Sequence, residues 1–421
     1  MRTDFNELMD KYADLILKVG LNLQPGQRLS IGSHHDVYRT PLEAAPLVRI
    51  LATKAYQMGA SLVDVFWGDD QVDLARAVRA KQDYLTTYPS WIAGEMIAAA
   101  GRGDARLSIT GGNPYLYSDV DPDRLGMIQR ARAAALDEAY LFNDQHPFNW
   151  CAAKFATSSW ATAVFPDLTT SDAINALWEQ LIQFCYLEAE DPISVWNDHN
   201  RDLYLRGEWL TQSAFKSLHF RSPQTDLWLD LPPNHIWVGG IDKLPDGLEY
   251  CANLPTEEIC TLPDRNGVRG YVQATKPVSY RGMYFEGIRL EFEDGQVTQA
   301  TADKGQDQLR QLLETDEGAS RLGEVALVPH SSPISQSGII FHSILLDENA
   351  SCHIALGNGY RFNLAESESM DKETFAAAGG NTSSIHFDFM IGSDLLDVDG
   401  IDAEGNPHPL LRAGEWAFKS E

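Results

Sequence analysis

Apolar residues in the first half of the chain alternate between two periods. Phe5, Leu8, Met9, Tyr12, Leu15, Ile16 and Val19 fall at helical spacing, with Thr3 or Asp4 as cap and Gly20 as stop. After the Pro25-Gly26 turn, Arg28–Ser33 predicts a strand. A helix over about Leu42–Met58 ends at Gly59, and an apolar strand follows at Ser61–Trp67. Strand, helix and strand at this spacing form a βαβ unit, which requires parallel strands and a right-handed crossover. The alternation continues with a helix near Trp91–Ala100, a strand at Ala105–Thr110, a helix near Asp123–Ala135 and a strand near Ala161–Phe165. Two more helices, about Asp172–Glu188 and Ile193–Ser217, carry the chain out of this domain, with Asp191-Pro192 as the break.

From about His219 the texture changes. Short strands at Leu227–Leu231, Gly270–Thr275 and Gly287–Glu293 alternate with Pro, Gly and Asp turns, as in an antiparallel domain. The expected fold is an α/β N-terminal domain with a mainly parallel sheet (residues 1–190). A mixed α+β domain (residues 191–421) follows it. A chain of 421 residues is long enough for two cores, and an apolar content of 44% is enough to fill them.

Charge and cysteine usage remove several function classes. A net charge of −27 argues against nucleic acid and anionic membrane surfaces, where basic stripes do the binding. No apolar run would span a bilayer, and the N-terminus lacks the apolar region of a signal peptide, so a cytoplasmic protein is expected. Five scattered cysteines without a C-x-x-C pair exclude a thiolate zinc ribbon and a disulfide framework. The chain also lacks G-x-G-x-x-G, Walker, G-x-S-x-G and H-E-x-x-H motifs. Gly111-Gly112-Asn113-Pro114 follows a predicted strand and reads as a turn, with anion cradling as the alternative.

The C-terminal third holds the chemistry. Ser384–Met390 reads as a strand, so His386 and Asp388 project from one face while Phe387 and Phe389 point into packing. Imidazole beside carboxylate is half of a site for a divalent transition metal, although a lone pair of this kind is ordinarily structural. Glu257 and Glu258 sit together after a proline, where helix capping is the plainer role. Glu324 enters an apolar run and must be paired or metal-bound if buried. His353 lies among small and apolar residues, and its neighbour Cys352 would face the other way into the core. Together these supply two imidazoles and at least three carboxylates, which suits two divalent ions sharing a bridging water. The Glu257–Glu258 pair offers one ligand and one base, in either order.

Five blocks closely resemble the thermophilic metalloaminopeptidase family of the aminopeptidase T type. They are Asn253–Glu258, Thr315–Ala319, Leu322–Val328, Asp347–Gly357 and Ile385–Ser393, and the likeness extends over essentially the whole chain. The resemblance implies a dinuclear centre held by Glu258, Glu324, His353, His386 and Asp388, with Tyr360 in the active site; with Glu258 a ligand, its neighbour Glu257 is the candidate proton carrier. It further implies two ions, zinc or cobalt and in some members manganese, and broad cleavage of N-terminal residues from short peptides with a free N-terminus. A cytoplasmic homodimer with enclosed active sites is implied as well. Two rivals stand beside this reading. A mononuclear iron(II) ring-cleaving dioxygenase of the same superfamily would need only His353, His386 and Asp388, leaving Glu258 and Glu324 without a role. A non-catalytic peptide-binding relative would retain the ligands without the activity.

Overall fold

The structure is a computed structural model that describes residues 3–33, 39–367 and 370–419. The chain divides into two compact units, Met1–His199 with Ile241–Pro255, and Asn200–Gly240 with Thr256–Glu421.

The first unit is built on a five-stranded parallel sheet in the order Asn253–Leu254, Trp150–Lys154, Ala105–Thr110, Arg28–Ile31, Leu62–Val65. Leu29, Ile31, Leu107, Ile109, Cys151 and Ala153 are buried in it, as strands covered on both faces require. Helices Phe5–Leu15, Ala45–Gln57 and Trp91–Arg102 lie close to their expected positions, and Pro122–Gln145 runs ten residues past its expected end at Ala135. The strand expected near Ala161–Phe165 is instead a helix, Ser158–Val164, and the strand lies upstream at Trp150–Lys154. A short apolar run fits either period, and Thr157 decides it: its Oγ1 accepts the Trp160 N–H at 3.3 Å and caps the helix. The Gly111–Pro114 turn uses its amide internally, since Asn113 N–H donates to Asp70 Oδ2 at 3.1 Å.

The second unit contains two antiparallel sheets. The larger has eight strands, in the order Gln296–Thr301, Arg289–Glu293, Val268–Gln273, Thr225–Asp230, Ser217–Ser222, Asp397–Ile401, Pro407–Arg412, Glu415–Trp416. The smaller has four, ordered Ile259–Thr261, Leu322–Leu327, His353–Gly357, His386–Met390. Val325, Leu327, Ile354, Leu356, Phe387 and Phe389 share one core with Phe220, Leu227 and Leu229 of the larger sheet. Phe387 and Phe389 are fully buried, and each contributes about 1.5–3 kcal/mol on leaving water. This burial fixes the register of the small sheet, because a one-residue slip would turn every side chain over. Its opposite face is thereby committed to the residues in between.

Candidate metal centre

Those intervening residues are the candidate ligands. In register, Glu324 lies opposite Ala355, which lies opposite Asp388; Ala326 lies opposite His353; and Gly357 lies opposite His386. Alternation therefore puts Glu324, His353, His386 and Asp388 on one face, with small residues between them leaving room. Gly357 has a left-handed backbone (φ +104°), and a Cβ there would collide with the Ile385 carbonyl, so glycine is required beside His386. Glu258 enters this face from the segment that leads into Ile259–Thr261.

The donor atoms converge. Glu258 Oε2 is 3.2 Å from His353 Nε2, and Glu324 Oε1 is 3.8 Å from the same nitrogen. Glu324 Oε2 is 3.1 Å and Asp388 Oδ1 3.2 Å from His386 Nε2. Two groups with the spacing of a metal site result, Glu258–Glu324–His353 and Glu324–His386–Asp388, and Glu324 belongs to both. A third, Glu348–His353–Asp388, adds an acid that the sequence reading left out. Glu348 ends the short helix Ile344–Glu348, five residues before His353, where an acid passes for ordinary helix polarity. Its one sequence signal is its place between the apolar Leu345-Leu346 pair and a strand of core residues.

Backbone carbonyls set the tautomers of both imidazoles. His353 Nδ1–H donates to the carbonyls of Glu348 and Ser351, each at 3.1 Å, and His386 Nδ1–H donates to the Asn358 carbonyl at 2.8 Å. A neutral ring protonated at Nδ1 turns a lone pair at Nε2 toward the carboxylates. Acceptor then faces acceptor, an arrangement that a divalent cation between them satisfies, as a second ring proton does in its absence. Glu258 Oε2 is buried and makes no hydrogen bond despite its 3.2 Å approach to His353. Among the described residues no lysine or arginine forms an ion pair with Glu258, Glu324, Glu348 or Asp388. Four carboxylates balance the charge of two divalent ions, so the donor set fits such a pair.

The titration behaviour has the same cause. Burial pushes both imidazoles down, but the adjoining carboxylates outweigh it and raise each well above the ordinary histidine range. Burial would raise Glu324, yet the two imidazoles bring it down to about 2. Burial raises Glu258, and it raises Glu348 well above the carboxylate range with help from Glu258 and Asp388.

The other expected site residues lie at the margin. Glu257 belongs to none of the three groups. It is buried, its N–H donates to Asn349 Oδ1 at 2.6 Å, and burial pushes its carboxyl up to about 8. Tyr360 is partly exposed, with its ring 4.7 Å from His386 and stacked on Phe362 at 5.0 Å. Cys352 is buried, its Sγ within 3.3 Å of the Val328 carbonyl, and belongs to the core.

Convergent carboxylates and imidazoles of this kind are the equipment of a metallohydrolase, and sequence comparison gives the class a name. The chain belongs to the thermophilic metalloprotease family (M29), whose family model matches residues 5–416. It is 41% identical to aminopeptidase T of Thermus thermophilus over 412 residues, covering 98% of this chain and 99% of that protein. The solved structure of wild-type AmpT from Thermus thermophilus matches with a TM-score of 0.89 at 40% identity, over 98% of this chain and 100% of that one. A 2,5-dihydroxypyridine dioxygenase from Pseudomonas putida matches with a TM-score of 0.51 at 13% identity, over 100% of this chain and 99% of that one, a likeness of fold alone. Among the described residues no helix is long and apolar enough to cross a membrane.

Proposed function

We propose that this metalloprotease-family chain is an aminopeptidase that uses two divalent ions held in the second unit. Glu258, Glu324 and His353 would hold one ion, and Glu324, His386 and Asp388 the other, with Glu348 adding to the shared set. The observation that carries this reading is the division of Glu324 between the two imidazoles. When bound, such a pair of ions polarises the scissile carbonyl and lowers the pKa of a shared water.

The chain's own groups then have distinct tasks. His353 and His386, with their Nδ1 protons tied to backbone carbonyls, hold their Nε2 atoms in fixed directions. Glu257, in its carboxylate form, takes the proton of the attacking water and passes it to the leaving amine, and the burial that raises its carboxyl to about 8 favours its holding that proton between the two transfers. Tyr360, against His386, donates a hydrogen bond to the tetrahedral oxyanion. The substrates we infer are short peptides with a free N-terminus, the ions zinc, cobalt or manganese, and the working form a cytoplasmic homodimer. Glu258 and Glu324 favour this over a mononuclear iron dioxygenase, which has no use for them.

The test is hydrolysis of leucyl-p-nitroanilide by the purified protein. Activity abolished by a chelator and restored by zinc, cobalt or manganese is expected. Activity indifferent to chelation would overturn the reading.

A further inference from the structure

Two aromatic rings continue the ligand face toward solvent. The Tyr360 ring lies 4.7 Å from that of His386, and the Phe362 ring stacks on Tyr360 at 5.0 Å with 10° between the planes. Both residues are exposed, yet the segment that carries them is fixed from below. Asn363 is buried, and its Nδ2 donates to the Ile236 and Cys260 carbonyls at 3.2 and 3.1 Å. The Asn363 carbonyl in turn accepts the Ile236 N–H at 2.7 Å. Arg361 donates to the Ser367 and Met370 carbonyls at 2.8 and 2.9 Å, and its guanidinium lies 4.7 Å over the Phe375 ring. Residues 361 and 363 anchor the segment, which leaves 360 and 362 to face outward. Single apolar side chains at a surface are ordinary, but two stacked rings that abut a candidate metal ligand form an apolar ledge.

Exposure gives this ledge a direction. The side chain of His353 is 1% exposed and that of His386 21%, while Tyr360 and Phe362 are 37% and 45% exposed. The centre is therefore closed at His353 and open at Phe362. An exopeptidase lodges the end of its substrate at the closed side, and the rest of the peptide leaves by the open one. A chain that advances ~3.5 Å per residue then carries the residue after the cleaved bond over the two rings.

We propose that Phe362 is a specificity-determining residue that holds an apolar, preferably aromatic, side chain on the second residue of the substrate. The proposal rests on the aminopeptidase reading, which brings the free N-terminus to the metal centre. One face of the Phe362 ring is taken by Tyr360, and its exposed remainder offers a ring contact to the incoming side chain. Because Arg361 and Asn363 hold the segment in place, the ledge stands ready before the peptide arrives. A glycine in the second position of the peptide forgoes this contact.

The experiment compares Leu-Phe-amide with Leu-Gly-amide on the metal-loaded full chain, as wild type, Phe362→Ala and Phe362→Leu. The wild type should prefer Leu-Phe-amide by about 5-fold or more in kcat/KM, mostly through KM. In Phe362→Ala that preference should fall to about one with bound metal retained, while Phe362→Leu should keep part of it. The ratio of Phe-Gly-amide to Leu-Gly-amide, which varies the first residue instead, should be the same in wild type and Phe362→Ala. A wild-type preference at or below one, an unchanged preference in Phe362→Ala, or a shift in the first-residue ratio instead overturns the proposal. Loss of a dimer in Phe362→Ala with the second-residue preference unchanged would assign the rings to a contact between copies of the chain, and overturns it too. Failure of the wild type to cleave any of these peptides would instead overturn the aminopeptidase reading beneath it.

Discussion

Glu324 Oε2 lies 3.1 Å from His386 Nε2, while the other oxygen of the same carboxylate faces His353 at 3.8 Å. One acid thus joins two imidazoles that sit on neighbouring strands. The register of the small sheet produces this, because Glu324, Ala355 and Asp388 form one cross-strand row with a methyl group at its centre.

The two imidazoles should therefore be separable. His353→Ala and His386→Ala each remove one nitrogen ligand and should each cut bound metal to about one ion per chain. Metal analysis of each variant checks this. Loss of both ions from either single variant would mean that the sites are not independent.

Glu257→Gln should retain its metal and lose turnover, by ~100-fold or more in kcat, as removal of a general base does. Paired measurements of metal content and kcat distinguish a base from a ligand. Metal loss in this variant would exchange the roles of Glu257 and Glu258.

Tyr360→Phe removes one hydroxyl beside His386. If that hydroxyl meets the oxyanion, kcat should fall by about 10²–10³ with little change in KM. An unchanged kcat would reduce Tyr360 to a ring that covers His386.

Asp316 braces the entry to the His386–Met390 strand. It accepts Ser384 N–H at 2.8 Å, Ser384 Oγ–H at 2.7 Å, Ser383 Oγ–H at 2.7 Å and Ala319 N–H at 3.0 Å. Burial acts to raise its pKa, but these hydrogen bonds outweigh it and leave the carboxyl below the usual range. A folded-state pKa below the unfolded one stabilises fully above the ordinary carboxylate range. The contribution is lost as pH falls through the folded value. Asp316→Asn should cost about 1–2 kcal/mol at neutral pH, and the difference from wild type should vanish in acid. Denaturant unfolding across pH measures it; a gap independent of pH would contradict the assignment.

Gly357→Ala should destabilise by about 1–3 kcal/mol, since it forces a side chain into left-handed backbone against the Ile385 carbonyl. Thermal unfolding reads this directly. A neutral variant would show that the close approach beside His386 is not required.

Much of the centre was legible because strands have a period of two. His386 and Asp388 could be put on one face, and Phe387 and Phe389 on the other, from spacing alone. The parallel first sheet followed from helix–strand alternation in the same way. Sequence could not show that Glu324 stands between two imidazoles, because that depends on pairing among three strands far apart in the chain. Glu348 escaped notice because a helix-terminal acid carries no periodicity. The helix at Ser158–Val164 was mistaken for a strand because seven residues satisfy both patterns and only the Thr157 cap separates them. The return of residues 241–255 to the first unit, pairing Asn253–Leu254 with Trp150–Lys154, left no mark in composition.

The most direct test of the shared centre is metal content per chain in Glu324→Ala beside wild type. Two ions bridged by one carboxylate predict about two per chain in wild type and near-total loss of both in the variant, with the fold intact by circular dichroism. Retention of one tightly held ion would contradict the bridge and leave two separate sites.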